Sequence, residues 1–129
     1  MRGVRDTLKP AYQTLDRIAG AGLGVLAAAA AAAVTPAGAA MVPVMATGMV
    51  LGMTAAMGGA FLIAPWAGMF EIMIPGMWAG MVAGMSGGMA RAMDLPWSAA
   101  LTIGAGAGLA IVLAFQRLDA RLTRGEDSR

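Results

Sequence analysis

Apolar residues form three long uncharged runs in this chain, over residues 18–70, 72–90 and 95–116. A membrane-crossing helix takes about 20 residues, so the first run is long enough for two crossings. Turn-forming residues divide the runs at Thr35-Pro36-Ala37-Gly38, at Pro65-Trp66-Ala67-Gly68 and between Arg91 and Pro96. These lengths and breaks predict four transmembrane helices, at about 18–36, 39–63, 67–90 and 96–117.

The residues before the first run have a different pattern, with apolar and charged positions on opposite helical faces. The apolar face contains Val4, Leu8, Ala11, Leu15 and Ile18, and the charged positions are Arg5, Asp6, Lys9, Asp16 and Arg17. This pattern predicts an amphipathic helix over 1–17 that lies at the membrane surface. The predicted fold class is therefore all-α: a four-helix transmembrane domain over 18–117, with a polar tail over 118–129.

The positive charges indicate the orientation of these helices. Four of the nine Lys and Arg residues precede residue 18, four follow residue 115, and only Arg91 lies between. Cytoplasmic flanks collect Lys and Arg, so both termini are predicted to be cytoplasmic, as an even number of crossings requires. A signal peptide ending near Ala37-Gly38-Ala39 is the rival interpretation. The charged region before the first apolar run is long and includes Asp6 and Asp16, which favours a segment that is not cleaved. The predicted location is a bacterial inner membrane.

Composition supports a membrane protein and excludes several kinds of chemistry. Charged residues make up 12% of the chain, against about 25% in soluble domains. The chain has no Cys and no His, so disulfides, thiolate sites and the usual ligands of zinc and haem are excluded. The hydroxyls within the runs have no base nearby, and no phosphate-binding loop is present. The sequence therefore predicts no enzyme, no zinc, haem or nucleotide cofactor, and no nucleic-acid partner.

Every methionine after Met1 belongs to one of two series with a strict step of four residues. The first methionine ladder is Met41, Met45, Met49, Met53 and Met57, and the second is Met69, Met73, Met77, Met81, Met85, Met89 and Met93. A step of four advances about 40° beyond a full helical turn, so each ladder winds around its helix.

Six glycines repeat with the same period, each directly before a methionine: Gly48, Gly52, Gly76, Gly80, Gly84 and Gly88. Small residues four apart allow membrane helices to approach closely, with a right-handed crossing. We expect these glycines to pack helices together, with methionine knobs of one helix filling glycine notches of another, within the chain or between copies.

Methionine also has a chemical use, because thioether sulfur selects soft cations such as Cu(I) and Ag(I). Neighbouring ladder members are about 6 Å apart along the helix, so a column of them offers many equivalent weak sites. Because each ladder winds, a continuous path requires several copies or two ladders around one axis. The predicted ligands are Met45, Met49, Met53, Met73, Met77, Met81 and Met85.

This MxxxM spacing resembles the motif in a membrane helix of the high-affinity copper transporter family, whose members also pack through GxxxG. The resemblance covers residues 41–57 and 69–93 and implies Met73, Met77, Met81 and Met85 as ligands. Elsewhere the chain departs from that family, with four predicted crossings rather than three and no terminal Cys or His.

Glu71 is the only acid inside an apolar segment. Such residues are costly in a membrane, so Glu71 is a candidate for cation compensation, a proton-linked site or a helix cap. Trp78 is predicted to lie in the core, and Arg91 is predicted to pair with Asp94.

Two functions other than Cu(I) handling stay open at this point. One is a non-catalytic accessory or assembly subunit of a larger membrane complex, which would pack through the glycine and methionine faces. The other is a holin-like pore former, because the chain is small and rich in Ala and Gly. The predicted partners are membrane lipid and either further copies of this chain or other membrane subunits.

Overall fold

The computed structural model contains four α-helices and no strand among the residues that it describes. It describes the backbone of residues 2–67, 69–126 and 128, but not the side chains of 2, 4–6, 66, 67, 69–72 and 126. The helices are α1 (Arg2–Val34), α2 (Met41–Ala67), α3 (Met69–Ala92) and α4 (Trp97–Glu126). The predicted all-α class is confirmed for this part of the chain.

The helix boundaries follow two of the three predicted breaks. The connection after Val34 lies at the break expected at 36–38, and the one after Ala92 lies at the break expected at 91–95. At the third break α2 runs past the helix end predicted at about 63, continues through Pro65 and ends at Ala67. Proline removes one helical hydrogen bond and bends a helix, but here it does not end it.

The N-terminal segment continues directly into the first long helix. α1 is unbroken from Arg2 to Val34 and includes Pro10, so no break separates the predicted surface helix from the first predicted crossing. The described side chains from residue 7 to residue 18 are all exposed. The side chains of Val4, Arg5 and Asp6, which the amphipathic pattern uses, lie outside the described residues. Placement of 1–17 at the membrane surface stays a prediction.

Three helices are long and apolar enough to cross a membrane: Thr7–Val34, Met41–Pro65 and Trp97–Gly125. This supports the interpretation of the chain as a membrane protein. The described part of α3 does not reach the same standard. Its glycines and Ser86 contribute little hydrophobicity, and Arg91 lies at its end.

The four helices form a bundle in which α1 and α3 occupy the short diagonal. α1 contacts the three other helices, and so does α3, whereas α2 and α4 make no contact with each other within the described residues. Residue pairs such as Gly52 with Gly80 and Gly24 with Gly104 show that α2–α3 and α1–α4 are antiparallel. α3 is therefore enclosed on three sides by the rest of the chain.

The core is built almost entirely from alanine and glycine. Among the side chains that the structure describes, the buried hydrophobic ones are ten alanines together with Leu23, Val44 and Val112. Because the side chains are small, the helix backbones approach closely, as is typical of membrane bundles. The alanine run of α1 contributes Ala27, Ala28, Ala31 and Ala32 to this core.

α1 and α4 pack through glycines of both helices. A side-chain carbon built at Gly24 would meet the carbonyl oxygen of Gly104 and lie 3.0 Å from Gly108 Cα. One built at Gly108 would meet the carbonyl oxygen of Gly20 in turn. The Gly104 and Gly108 strip therefore faces a matching strip on α1.

The connection between α3 and α4 does not contain the predicted ion pair. Asp94 has a left-handed backbone conformation, with φ of 61°. Leu95 N donates to Ala90 O at 3.0 Å, and Asp94 N donates to Arg91 O at 2.9 Å. This pattern is the Schellman motif that ends many helices. Arg91 Nη1 donates to Leu95 O at 3.1 Å, and the guanidinium lies 5.8 Å from the centre of the Trp97 ring.

Trp78 is also placed differently from the prediction. Its side chain is 52% exposed, so it is not a core residue. The neighbouring Ala79 and Gly80 are buried instead. In this bundle the core positions of α3 are occupied by the smallest residues, which leaves an indole outside.

Candidate functional site

α2 and α3 meet along a line of small residues that we call the glycine seam: Val44, Gly48, Gly52 and Ala56 of α2, and Gly80, Gly84 and Gly88 of α3. A carbon built at Gly52 would lie 2.8 Å from Gly84 Cα and would also meet the carbonyl oxygen of Gly80. One built at Gly48 would lie 2.7 Å from the carbonyl oxygen of Gly84. The two backbones are thus in direct contact.

The seam corrects the expected packing of methionine knobs into glycine notches. The atoms nearest to Gly48, Gly52 and Gly84 are mainly backbone atoms of the facing glycines, and Gly80 also meets the Ala56 Cβ. No methionine side chain is among these nearest atoms. The methionines flank the seam rather than fill it, because the backbones leave no room between them.

Both methionine ladders flank the seam on the same side, turned away from α1. On α3, Gly87 contacts Ala28 of α1, and Met85 lies two residues away, about 200° around the helix. On α2, Gly59 contacts Leu23 of α1, and Met57 lies two residues away in the same way. We call this shared face the methionine strip; it comprises Met45, Met49, Met53 and Met57 of α2, and Met73, Met77, Met81, Met85 and Met89 of α3.

The strip stays on one side of the seam along its length. Methionines and seam glycines both repeat every four residues, so they rotate about the helix axes together. On an isolated helix the members of one ladder point in different directions. Because the line of contact between two crossing helices rotates in the same way, each methionine keeps its position relative to that line. The two ladders therefore keep the same offset from the seam along its length.

The methionine side chains of the strip are accessible rather than buried. Among the described ladder members, Met41, Met49 and Met93 are exposed and the others are half-buried. Six of these methionines directly follow a glycine, and all six of those glycines are buried: Gly48, Gly52, Gly76, Gly80, Gly84 and Gly88. The structure therefore leaves the methionine side chains partly accessible and buries the glycines in its interior.

The seam opens at the end nearest to the α2–α3 connection. A carbon built at Gly76 would meet only Leu23 of α1, at 3.4 Å, and no atom of α2 within contact distance. Leu23 is 4% exposed and packs against Ala60 of α2 and beside Gly59. This side chain therefore contacts both α2 and α3 from the side of α1.

A small cavity lies at the same level, lined by Met57, Ala60, Phe61, Ala64 and Met73. Its volume is about 10 Å³, which is close to the space that one water molecule needs. Met57 and Met73 come from different ladders and line one cavity. The structure thus brings one sulfur-bearing side chain from each helix to a common space.

The predicted ligands are distributed along the strip rather than gathered at one point. Met45, Met49 and Met53 lie on α2, and Met77, Met81 and Met85 lie on α3 beside the closed part of the seam. Of the predicted set, only Met73 lines the small cavity. Met57 was not among the predicted ligands. Its position in the first ladder, which it shares with Met45, Met49 and Met53, is the sequence feature that could have identified it.

The backbone of Met69 and Glu71 is part of α3, but the structure does not describe their side chains. The predicted roles of Glu71 are therefore untested. Among the described residues, no group of three or more His, Cys, Asp or Glu side chains could hold a metal ion.

A larger cavity of about 440 Å³ lies between α1, α3 and α4, near the same end of the bundle. Its apolar walls include Leu23, Ile74 and Val112, and its polar lining residues are Asp16, Gln116 and Asp119. Gln116 joins the two long helices, because it accepts from Arg17 Nε at 3.1 Å and donates to Gln13 O at 3.2 Å. Nothing in the sequence pattern indicated this cavity, because its polar residues lie about 100 positions apart.

No protein-family model, curated protein or solved structure matches this chain.

Proposed function

We propose that this chain binds and passes a soft monovalent metal ion, Cu(I) first, along the methionine strip. The observation that supports this most directly is the placement of two methionine ladders beside one seam. An ion on this face can take thioether ligands from both helices, whereas one winding ladder alone cannot surround it. Thioethers are neutral and soft, so they favour Cu(I) over hard cations.

In this proposal all four helices cross a bacterial inner membrane, and both termini are cytoplasmic. α3 lacks the hydrophobicity of the others, but it is enclosed by α1, α2 and α4 and runs beside them. A helix inside a bundle can carry glycines that a lipid-facing helix could not tolerate as well. The clusters of Lys and Arg at both ends of the chain support the orientation.

The strip faces away from α1, so in a single chain it faces lipid. A second copy packed against the same face would enclose the sulfur atoms and turn the strip into a conduit. The homo-oligomer predicted from the sequence is therefore part of this proposal. Multi-angle light scattering in detergent tests it; a strictly monomeric protein would leave binding possible but would rule out an enclosed path.

Cu(I) binding to purified protein tests the proposal itself. We expect stoichiometric binding, measured by competition with a chromogenic Cu(I) chelator, and a sharp decrease in the number of Cu(I) ions bound per chain when Met77, Met81 and Met85 are replaced by leucine. Leucine conserves volume and removes sulfur, so helical content and oligomeric state should be retained. Met93→Leu is the matched control, because Met93 lies beyond α3 and is 64% exposed. Equal binding by the triple variant and the control would refute the proposal.

The accessory-subunit alternative now needs a different surface. All six glycines that were expected to hold other helices meet atoms of this same chain. Docking would have to use the methionine strip or the exposed faces of α1 and α4. Co-purification with larger membrane subunits, lost when the strip is changed to leucine, would favour this alternative. The holin-like alternative predicts lysis on expression.

A further inference from the structure

We infer that Met57 and Met73 form a discrete Ag(I)- and Cu(I)-binding site in the small cavity at the open end of the seam. The inference rests on the proposed function and names the position where an ion is held rather than passed. Elsewhere along the strip the two backbones touch, and the methionines lie beside a closed line of glycines. Here a carbon built at Gly76 meets no described atom of α2 within 4 Å, and side chains of both ladders line one space.

The size of the cavity fits a bare ion. A volume of about 10 Å³ is close to the space that one water-sized particle needs. A soft ion that has lost its water must gain ligands in exchange. Met57 and Met73 offer two thioether sulfurs, and two ligands are sufficient for Cu(I) or Ag(I) coordination, which needs from two to four donors.

The remaining lining excludes hard ions. Ala60, Phe61 and Ala64 contribute no side-chain oxygen or nitrogen. Ca²⁺ and Mg²⁺ require several oxygen ligands, so they would lose hydration here and gain nothing. Among the described residues of the lining, the aromatic ring of Phe61 is the one other group that attracts a cation, through its π-electrons. The donor set therefore selects soft monovalent cations.

The bundle itself keeps this cavity open. Leu23 of α1 is buried between Ala60 and Gly76, on the side of α2 and α3 opposite to the strip. Because this side chain contacts both helices, they cannot close over the space between Met57 and Met73. The site is thus preorganised by a residue that does not touch the ion, whereas the closed seam offers no such gap.

Silver titration of the full chain in detergent tests the inference, because Ag(I) is redox-inert. We compare Met57→Leu/Met73→Leu with Met41→Leu/Met93→Leu, in which the same change is made at two exposed methionines outside the strip. The first double variant should lose the tightest-bound silver ion per chain, and the second should keep it. Retention of that ion by the first variant would overturn the inference and leave metal binding along the strip intact. Absence of silver and Cu(I) binding by the unaltered protein would instead refute the proposed function.

A second measurement uses the unaltered protein and therefore does not depend on whether a variant folds. Peroxide oxidises accessible methionines to sulfoxides, and a bound metal blocks the sulfur lone pair. One equivalent of Ag(I) should protect Met57 and Met73, as measured by mass spectrometry, while Met93 continues to oxidise. Equal oxidation of Met57 and Met93 in the presence of one bound silver ion would contradict the site.

Discussion

The glycine seam can be tested by one methyl group placed inside it. Gly84→Ala adds a Cβ that would lie 2.7 Å from Gly52 Cα and would also meet the carbonyl oxygen of Gly48. Carbon atoms prefer about 3.5–4.0 Å, so the helices would have to separate by about 1 Å. Both neighbours are backbone atoms, so no side chain can rotate away.

The matched control is Gly58→Ala on α2. Gly58 is exposed, and a carbon built there meets nothing within 4 Å. Alanine favours a helix over glycine by about 1 kcal/mol, and this gain applies to both variants. It cancels when the two are compared, so their difference isolates the steric cost, which for overpacking is about 1–3 kcal/mol.

The free energy of unfolding of each variant can be measured by denaturing titration in mixed micelles, followed by circular dichroism. Gly58→Ala should be as stable as the unaltered protein or more so, and Gly84→Ala should be less stable than Gly58→Ala by about 1–3 kcal/mol. If the two alanines have the same effect, then α2 and α3 do not meet through these glycines, and the placement of the methionine strip loses its basis.

Three further predictions follow from other parts of the structure. Asp94→Gly should stabilise the fold by about 1 kcal/mol in the same titration, because Asp94 has a φ of 61° that glycine adopts without strain; a loss of stability would contradict the Schellman assignment. Affinity for Cu(I) should be unchanged between about pH 5 and pH 8, because thioethers do not titrate; a decrease at low pH would indicate ligands that must lose a proton. Because the chain has no cysteine, Ala37→Cys and Ser128→Cys each provide a single label; an impermeant maleimide should reach the first from outside spheroplasts and the second only after permeabilisation, and external labelling of both would contradict the orientation.

The sequence predicted the helices well because their signals are local. Apolar run length, Pro36 and Gly38 in one connection, and Pro96 before α4 each act over a few residues. The same locality explains two errors. Pro65 does not end α2, because the helix tolerates one missing hydrogen bond, and Arg91 bonds to the Leu95 carbonyl rather than to Asp94.

The arrangement of the ladders could not be predicted, because it depends on which helices pair and in which direction. The four-residue period indicated close packing, but not that Gly52 would face Gly80 rather than a methionine. Nor did any pattern place Leu23 between α2 and α3, since its neighbours Gly59 and Gly76 belong to other helices. The small cavity with Met57 and Met73 follows from that placement.

The central claim is that the methionine strip holds a soft metal ion through sulfur from both helices. X-ray absorption at the copper edge, on purified protein loaded with Cu(I) under reducing conditions, tests it most directly. We predict retained copper with a shell made of sulfur alone, which disappears when the methionines of the strip are replaced by leucine. Failure to retain copper, or a shell of oxygen or nitrogen, would contradict the claim.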